Sequence, residues 1–315
     1  MHPEVSKYLG TLRGHPAAGD IEGWSARYAP LTRDVWRRTN ADTSPHIAVS
    51  VVVVVYRFHS GVERALRHIV AQRDACEREH VELIIVNNTW GDARACRIFQ
   101  ELADVHVEMQ GNVGASPGRN VGAMHARGEL LCFLDDDGVI EPGYIERGVA
   151  HFRGDEALVG LRTRVEPDKH PYFTTLATHY DRGDAPIADT LITEGSMMVR
   201  RDVFIEAGGF HDELFGHEGI ELTFRIFQKY GSEKEVKYVP DMVMRHDYMD
   251  SWEKFIRKCV RYDRADRHVP ERSAELQAFM DAFFARRFPR ARLSADQQAA
   301  RQFLRAIRFV LQRMK

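Results

Sequence analysis

The chain has 315 residues, of which 44% are hydrophobic and 29% are charged, and its formal net charge is −2. This length can bury a large core in one α/β domain or in two smaller domains, and the composition is that of a globular protein rather than a disordered one. The small net charge argues against a chain that binds polyanions over its whole surface, and the longest apolar run, Ile47–Val55, is too short to span a bilayer.

Two further features bear on the compartment of the protein. No charged segment precedes an early apolar run, so the sequence predicts no signal peptide and a cytoplasmic protein. The four cysteines, Cys76, Cys96, Cys132 and Cys259, are widely separated and form no CxxC pair. This spacing favours free thiols in a reducing compartment over a disulfide framework or a zinc site.

Charge is distributed unevenly along the chain. Residues 251–315 contain 16 Lys and Arg against 7 Asp and Glu, which leaves the rest slightly acidic. Such a region can contact an anionic membrane or acceptor, or it can dock as amphipathic helices on the domain or on a second copy in a homodimer. We prefer docking because an apolar stripe recurs at helical spacing, at Phe303, Ile307, Val310 and Met314. No recognised motif accompanies the charge, so we expect no nucleic-acid binding.

The first half of the chain alternates apolar runs with helical patterns. His46–Tyr56 predicts a strand that is buried on both faces of a parallel sheet, and Ser60–Arg73 has the spacing of an amphipathic helix. Further strands are predicted at Val81–Val86, Val105–Met109 and Glu129–Leu134, and further helices at Arg94–Leu102 and after Pro117. This alternation predicts a doubly wound α/β fold in which ligands bind at the carboxyl ends of the strands.

The second half extends this plan less regularly. Residues 155–200 are strand-like and rich in polar residues, residues 202–207 and 218–230 have helical spacing, and a last strand is predicted at Val236–Val239. The resulting domain prediction is an N-terminal extension in residues 1–45, a main domain in residues 46–250 and a helical, basic C-terminal region in residues 251–315.

Three consecutive aspartates, Asp135, Asp136 and Asp137, follow the apolar run that ends at Leu134. Carboxylates on one tight turn repel one another unless a cation lies among them, and their oxygen atoms suit Mg²⁺ or Mn²⁺. A cation there would bridge two phosphates and take up the charge of a departing nucleoside diphosphate. A solvated turn with an aspartate as helix cap is the alternative, but the buried strand before it favours the metal site.

Two glutamates and a histidine are further candidates. Glu218 and Glu221 are three residues apart at a predicted helix start, so both can face one cleft and one can accept the proton of an attacking hydroxyl. They also favour a helix N-terminus electrostatically, and their spacing does not decide between these interpretations. His246 follows the last strand, where an imidazole can complete a carboxylate metal site, although a lone histidine is more often a packing residue. Cys96 has no partner at a ligand spacing and is interpreted as structural.

The order of these motifs resembles that of family 2 glycosyltransferases and their relatives with the GT-A fold. The similarity runs from about Ile47 to Arg264, roughly two thirds of the chain. Five segments carry it in order: VVVVVYR, ELIIVNN, GNVGASPGRNVGAMHARGELLCFLDDDG, GSMMVRRDVFIEAGGFHDELFGHEGIELTFRIFQKYG and YVPDMVMRHDYMDSW. The resemblance implies a GT-A fold, a Rossmann-like mainly parallel sheet flanked by helices, with a helical C-terminal extension. It also implies a metal-dependent transfer of a sugar from a nucleoside-diphosphate sugar to an acceptor hydroxyl.

The resemblance implies roles for residues of the donor site. Tyr56 and Arg57 fall where the family contacts the nucleotide base, and Asn87 stands in place of an aspartate that reads uracil. Arg119 and Asn120 correspond to helix residues that line the donor site. Because Asn87 departs from the family pattern, a UDP-sugar is the favoured donor but guanosine and thymidine nucleotides stay open.

The same resemblance implies the metal ligands and the base. Asp135 and Asp137 match the outer members of the DxD motif, with Asp136 between them in the donor site, and His246 completes the metal shell in some relatives. Glu218 falls on an acidic motif that holds the acceptor or acts as base.

One departure bears on the stereochemistry. The family's base is the second residue of a Glu-Asp pair, and this position is Gly219 here. The segment FGHEGIELTFR is instead similar to a motif of polypeptide N-acetylgalactosaminyltransferases, which retain the anomeric configuration. Either Glu218 or Glu221 serves as the base of an inverting enzyme, which we favour, or a retaining enzyme needs no base.

Two other classes remain as alternatives at this point. A nucleotide-sugar-binding protein with weak turnover fits the absence of a side chain at Gly219. A nucleotidyltransferase could use the same sheet, but its Gly-rich loop is absent after Val55. The acceptor, a small molecule, a glycan or a peptide, is not identified by the sequence.

Overall fold

The structure is a computed structural model of the chain. The residues it describes are 12–39, 46–89, 91–172, 179–214, 216–247, 249–257, 273–286, 294–300, 302, 303 and 306.

A ten-stranded sheet forms the centre of the fold. Its strands are β1 (Thr32–Arg37), β2 (Val49–Val55), β3 (Val81–Asn87), β4 (Val105–Met109), β5 (Leu130–Asp135), β6 (Val139–Ile140), β7 (Leu158–Glu166), β8 (Ile187–Ala188), β9 (Ser196–Arg200) and β10 (Glu235–Arg245). Their order is β1-β4-β3-β2-β5-β9-β7-β10-β6, with β8 paired to β10. The four central strands β4, β3, β2 and β5 run parallel, as do β7 and β10. The predicted α/β class is confirmed.

Helices cover both faces of this sheet. They are α1 (Ile21–Tyr28), α2 (Ser60–Asp74), α3 (Ala93–Leu102), α4 (Ala115–His125), α5 (Tyr144–Phe152), α6 (Arg201–Glu206), α7 (Glu218–Tyr230) and α8 (Ala274–Ala285). One apolar core lies between the sheet and helices α2, α3 and α5, and a second lies between the sheet and helices α1, α4, α6 and α7. Because both faces are covered, the central strands are runs of apolar residues without alternation.

The N-terminal segment belongs to this domain as far as it is described. Strand β1 pairs antiparallel with β4 at the edge of the sheet, and Trp24 and Tyr28 of α1 are completely buried. In the described part of residues 1–45, the segment packs on the main domain, and the domain boundary at residue 45 stays a prediction. The strand escapes sequence reasoning because TRDVWR is an edge strand with several exposed polar residues, and it therefore lacks the apolar run of a central strand.

Strand β10 continues six residues beyond the predicted end at Val239. Its pairing with β7 shifts register between Val239 and Val243, so residues 240–242 form an irregularity around Pro240. A proline cannot donate to a ladder, and a bulge is where a strand tolerates one. The resumed pairing carries the chain on to His246, whose backbone N–H bonds to the carbonyl of Glu166.

The predicted C-terminal region is described only in part. Helix α8 packs Leu276, Met280 and Phe283 against Ile220 of α7, which agrees with a helix docked on the domain. Phe303 is exposed, whereas the other members of the predicted apolar stripe lie outside the described residues. None of the helices in the described part of the chain has the length and apolar character needed to cross a membrane.

Candidate active site at the carboxyl ends of the strands

The backbone of the first aspartate of the motif is bonded to a glycine that directly precedes strand β9. Asp135 ends β5, and its N–H bonds to the carbonyl of Gly195 at 2.9 Å. A Cβ atom at Gly195 would overlap the carboxylate of Asp135. The glycine therefore leaves the space in which this carboxylate lies.

Arg119 joins Asp135 to the second half of the chain. Helix α4 can approach the sheet closely because Gly118 and Gly122 face the side chains of Val54 and Val52. Arg119 on this helix is 9% exposed, and its Nη2 donates to Asp135 Oδ1 at 3.1 Å. Its Nη1 lies 3.7 Å from Glu218 Oε1. One guanidinium thus lies between two of the predicted site carboxylates.

Asp136 turns towards the end of β2. Its Oδ2 accepts the backbone N–H of Tyr56 at 3.1 Å. Burial, followed by the charges of Asp137 and Asp135, raises the pKa of Asp136 to about 7. The close spacing of three carboxylates is therefore electrostatically unfavourable without a positive charge.

Asp137, which follows β5, and His246, which follows β10, are brought together in the fold. The Nε2 atom of His246 lies 2.5 Å from Asp137 Oδ1, and the imidazole is 5% exposed. Burial acts to raise the pKa of Asp137, but the hydrogen bond and charge of His246 lower it below its usual range. A carboxylate oxygen and an imidazole nitrogen this close together are donor types that suit Mn²⁺.

The two candidate glutamates are separated by the structure. Glu218 opens α7, where its Oε2 accepts the N–H of Gly216 at 2.5 Å beside Arg119. Glu221 instead forms a two-pronged ion pair with Arg225, both oxygen-to-nitrogen distances being 2.6 Å. Arg225 in turn donates to the carbonyls of Ala207 and Gly209. This corrects the expectation that both glutamates face one cleft, since the ion pair ties Glu221 to the loop after α6.

Asn120 lies in the core rather than in the cleft. It is fully buried, its Oδ1 accepts the N–H of Phe210, and its amide nitrogen donates to the Phe210 carbonyl at 2.8 Å. The same nitrogen contacts the hydroxyl of Tyr28 and the carboxylate of Asp212. The amide of Asn120 therefore connects α4 to α1 and to the loop before α7, and its role in the donor site stays a prediction.

Residues predicted to contact the nucleotide base lie at the end of β2 and β3. Tyr56 is 51% exposed, and the guanidinium carbon of Arg57 is 5.1 Å from the centre of its ring. Asn87 is fully buried, with its Oδ1 bonded to the N–H of Thr89 at 2.8 Å. The exposed Tyr56 ring is thus accessible to a ligand, whereas Asn87 orders the turn that follows β3.

A second group of metal-ligating side chains lies behind Asn87. The ligand atoms of Cys96, His106 and Glu108 are all within 4.8 Å of one another. Cys96 donates to Glu108 at 2.7 Å, and burial followed by this bond raises the pKa of the thiol to about 12. The cluster is separate from the aspartates and was missed because its members lie on α3 and β4 without a motif spacing.

Sequence reasoning also missed Glu194. It directly precedes Gly195, and its Oε1 accepts the N–H of Gly219 at 2.8 Å. No spacing signals it, because the contact depends on the packing of α7 against the segment before β9.

Comparison with known proteins identifies the family. Residues 50–208, just over half of the chain, match glycosyl transferase family 2. The chain belongs to this family. Its fold is the GT-A fold, as the resemblance of its motifs implied.

Curated relatives of this glycosyltransferase match it over part of their length. The putative glycosyltransferase EpsH of Bacillus subtilis is 35% identical over 113 residues, which are 35% of this chain and 31% of EpsH. Glycosyltransferase GlyA of Streptococcus pneumoniae is 27% identical over 139 residues, or 42% of this chain and 19% of GlyA. Polypeptide N-acetylgalactosaminyltransferase 3 of Drosophila melanogaster is 24% identical over 209 residues, or 56% of this chain and 30% of that protein.

Two solved structures share the fold. Mannosyltransferase PcManGT from Pyrobaculum calidifontis, in complex with GDP-Man and Mn²⁺, has a TM-score of 0.54 at 17% identity and covers 97% of this chain and 77% of its own. GalNAc-T7 with UDP, GalNAc and Mn²⁺ has a TM-score of 0.52 at 13% identity and covers 87% of this chain and 65% of its own. At such identities the likeness shows the fold alone.

Proposed function

We propose that this glycosyltransferase moves a sugar from a nucleoside-diphosphate sugar, with a UDP-sugar favoured, to a hydroxyl of an acceptor. Mn²⁺ or Mg²⁺ would be held by Asp135, Asp137 and His246. The observation that carries the proposal is the convergence of the His246 imidazole on the carboxylate of Asp137, 2.5 Å apart, from elements 109 residues distant in sequence.

Three residues of the chain, Tyr56, Arg57 and Arg119, would have separate roles at this site. The exposed ring of Tyr56 offers a face on which a nucleotide base can stack, with Arg57 beside it. Arg119 keeps a positive charge next to Asp135 and orients this carboxylate. A bound cation supplies the charge that offsets the negative charge developing on the departing diphosphate.

Support for a divalent cation comes from the charge of the motif itself. One guanidinium, that of Arg119, pairs with the first of three successive carboxylates, and the pKa of Asp136 is raised by its burial and then by the charges of its neighbours. A dication relieves this repulsion, and oxygen-rich sites select Mg²⁺ or Mn²⁺ over softer metals. The Mn²⁺-containing complexes of PcManGT and GalNAc-T7 agree with this choice.

A donor screen tests the proposal. Purified protein with Mn²⁺ is offered each common nucleotide-sugar, and release of the nucleoside diphosphate is measured. We expect release from one donor, which a chelator abolishes and Asp137→Ala lowers at least about 100-fold, a typical loss when charge stabilisation is removed. Asp241→Ala is the matched control, because Asp241 also pairs with a histidine, His151 at 2.9 Å, but on the surface.

Two other outcomes would replace the proposal. Metal-dependent donor binding without release would indicate a nucleotide-sugar-binding protein. Release of pyrophosphate from a nucleoside triphosphate and a sugar 1-phosphate would indicate a nucleotidyltransferase. Equal activity of Asp137→Ala and Asp241→Ala would show that the aspartate cluster is not the metal site.

A further inference from the structure

Glu194 is bonded to the first turn of α7 where that turn packs most closely on the segment before β9. A Cβ atom at Gly219 would overlap the carbonyl oxygen of Leu191 and would lie 3.0 Å from Glu194 Oε1. The N–H of Gly219 bonds to Oε1 of Glu194 at 2.8 Å. Glycine at position 219 therefore lets the first turn of α7 approach residues 191–194 closely, and this contact brings Glu194 to the start of α7.

This placement sets Glu194 beside the proposed donor site. The next residue, Gly195, lies directly under the carboxylate of Asp135. Gly219, which bonds to Glu194, directly follows Glu218, and Oε1 of Glu218 lies 3.7 Å from Nη1 of Arg119. Glu194 thus faces the space between the proposed metal ligand Asp135 and the start of α7.

The two glutamates of this pair differ in how their oxygens are held. Glu218 has one oxygen bonded to the N–H of Gly216 and the other beside Arg119. Glu194 accepts the N–H of Gly219 at Oε1, and its own backbone N–H also bonds to the carboxylate. As a whole residue, Glu194 is neither fully buried nor exposed.

Electrostatics also distinguish Glu194 from an ordinary surface carboxylate. Burial, followed by the charge of Glu218, raises the pKa of Glu194 above its usual range, and Arg119 opposes this shift. Arg162 of β7 is a further cation whose charge interacts with Glu194. A carboxylate whose pKa is raised in this way is a stronger base once it is ionised, so turnover should increase as the pH rises through that pKa.

We propose that Glu194 is the general base of the transfer reaction, with Glu218 as the fixed carboxylate that polarises it. This inference rests on the proposed function. The acceptor oxygen bonds to the anomeric carbon while the bond from that carbon to the diphosphate oxygen breaks. The bonding electron pair leaves with the nucleoside diphosphate, and the proton of the acceptor hydroxyl passes to Oε2 of Glu194. Attack from the face opposite the diphosphate inverts the anomeric configuration.

The test compares Glu194→Gln with Glu206→Gln, using the donor found active for the wild-type protein and water as the acceptor. Glu206 is the matched control because it is an exposed carboxylate on α6, paired with Lys229 away from the cleft. We expect Glu194→Gln to lower kcat at least about 100-fold, within the usual range for loss of a general base, and to change KM for the donor less than about threefold. The acidic limb of its pH–rate profile should disappear, and formate should partly rescue Glu194→Ala.

The outcomes separate this inference from the function on which it rests. A wild-type protein that turns over no donor overturns both. Turnover by Glu194→Gln within about threefold of wild type, or a higher KM with unchanged kcat, overturns only the base assignment. The anomeric configuration of the released sugar is measured by NMR before it mutarotates. Retention of the donor's configuration also overturns the base assignment. If the variants have the melting temperature of the wild type, they are folded. If UDP and Mn²⁺ raise that temperature as much as in the wild type, the variants still bind both.

Discussion

At the scale of single residues, the site depends on two glycines at close contacts. Gly195 leaves room for the carboxylate of Asp135, and Gly219 leaves room for the backbone carbonyl of Leu191 beside Glu194. In both places a methyl group would collide with atoms of the site rather than with the end of a flexible surface side chain. The shape of the site thus depends on glycine at these two positions as much as on the acidic groups themselves.

Substitution of Gly195 tests this dependence. In Gly195→Ala the new Cβ would displace the carboxylate of Asp135 and break its bond with Arg119. We expect turnover to fall at least about 100-fold, because a misplacement of about 1 Å can cost this much. Measurement of turnover and of the Mn²⁺-dependent melting shift checks the prediction. Gly61→Ala is the control, since the Cβ there would meet only the ring of His59 at the start of α2. Equal turnover in both variants would contradict it.

The residues that sequence reasoning recovered and those that it missed differ in a physical way. Asp135, Asp136 and Asp137 were predictable because a continuous apolar run ends immediately before them. Glu194 was not, because its position follows from the packing of α7 against another segment. The core contacts of Asn120 were not predicted, because a motif position does not reveal that the amide bonds inside the core.

At the scale of elements, the edge strand β1 is attached to the helix that carries Arg119. Arg37 of β1 donates to Nδ1 of His125, the last residue of α4, at 3.2 Å. Burial, followed by the charge of Arg37, lowers the pKa of His125 to about 4. The histidine is therefore neutral in the folded protein at any pH where the protein is ordinarily handled.

This neutral histidine predicts a loss of stability in acid. The unfolded chain binds the proton near pH 6.5 and the folded chain only near pH 4, so the contribution is intact above pH 6.5 and is lost as the pH falls towards 4. Between pH 7.5 and 5.0, the free energy of unfolding of His125→Asn should fall by about 1–2 kcal/mol less than that of the wild type. Urea unfolding at the two pH values measures the difference. His46→Asn, at an exposed histidine, should behave like the wild type, and a parallel decline in all three proteins would contradict the prediction.

The elements themselves were predictable to different degrees. The four central parallel strands were found because burial on both faces makes them continuous β-branched runs. Strand β1 was missed because an edge strand needs no such run, and β10 was cut short because Pro240 is normally a terminator. The second error matters for function, since the continuation of β10 delivers His246 to the aspartates.

At the scale of the whole molecule, the described N-terminal segment is part of the catalytic domain. Arg27 and Tyr28 of α1 both bond to Asp212, and Asn120 of α4 joins them there. The loop before α7, which leads to Glu218, is therefore held by residues of α1 and α4. The C-terminal helix α8 adds contacts on the other side of α7. The position of α7 relative to the sheet thus results from long-range packing, and no local pattern could have predicted it.

Charge in the C-terminal region is partly neutralised where the structure describes it. Lys254 pairs with Asp250 and Arg257 pairs with Glu253, each four residues apart. These pairs favour a solvated helix face over a free basic surface for residues 252–257. The remaining basic residues of the predicted membrane-contact surface lie largely outside the described residues, so membrane contact and dimerisation stay predictions.

The location of Mn²⁺ in a crystal grown with UDP and Mn²⁺ tests the central claim most directly. Two sets of ligand-type side chains compete in this chain, the aspartates with His246 and the Cys96, His106 and Glu108 cluster. An anomalous difference map at the manganese edge should show a peak bonded to Asp137 and His246, in contact with the diphosphate of UDP. A peak only at Cys96, or UDP bound with no metal beside Asp137, would contradict the account.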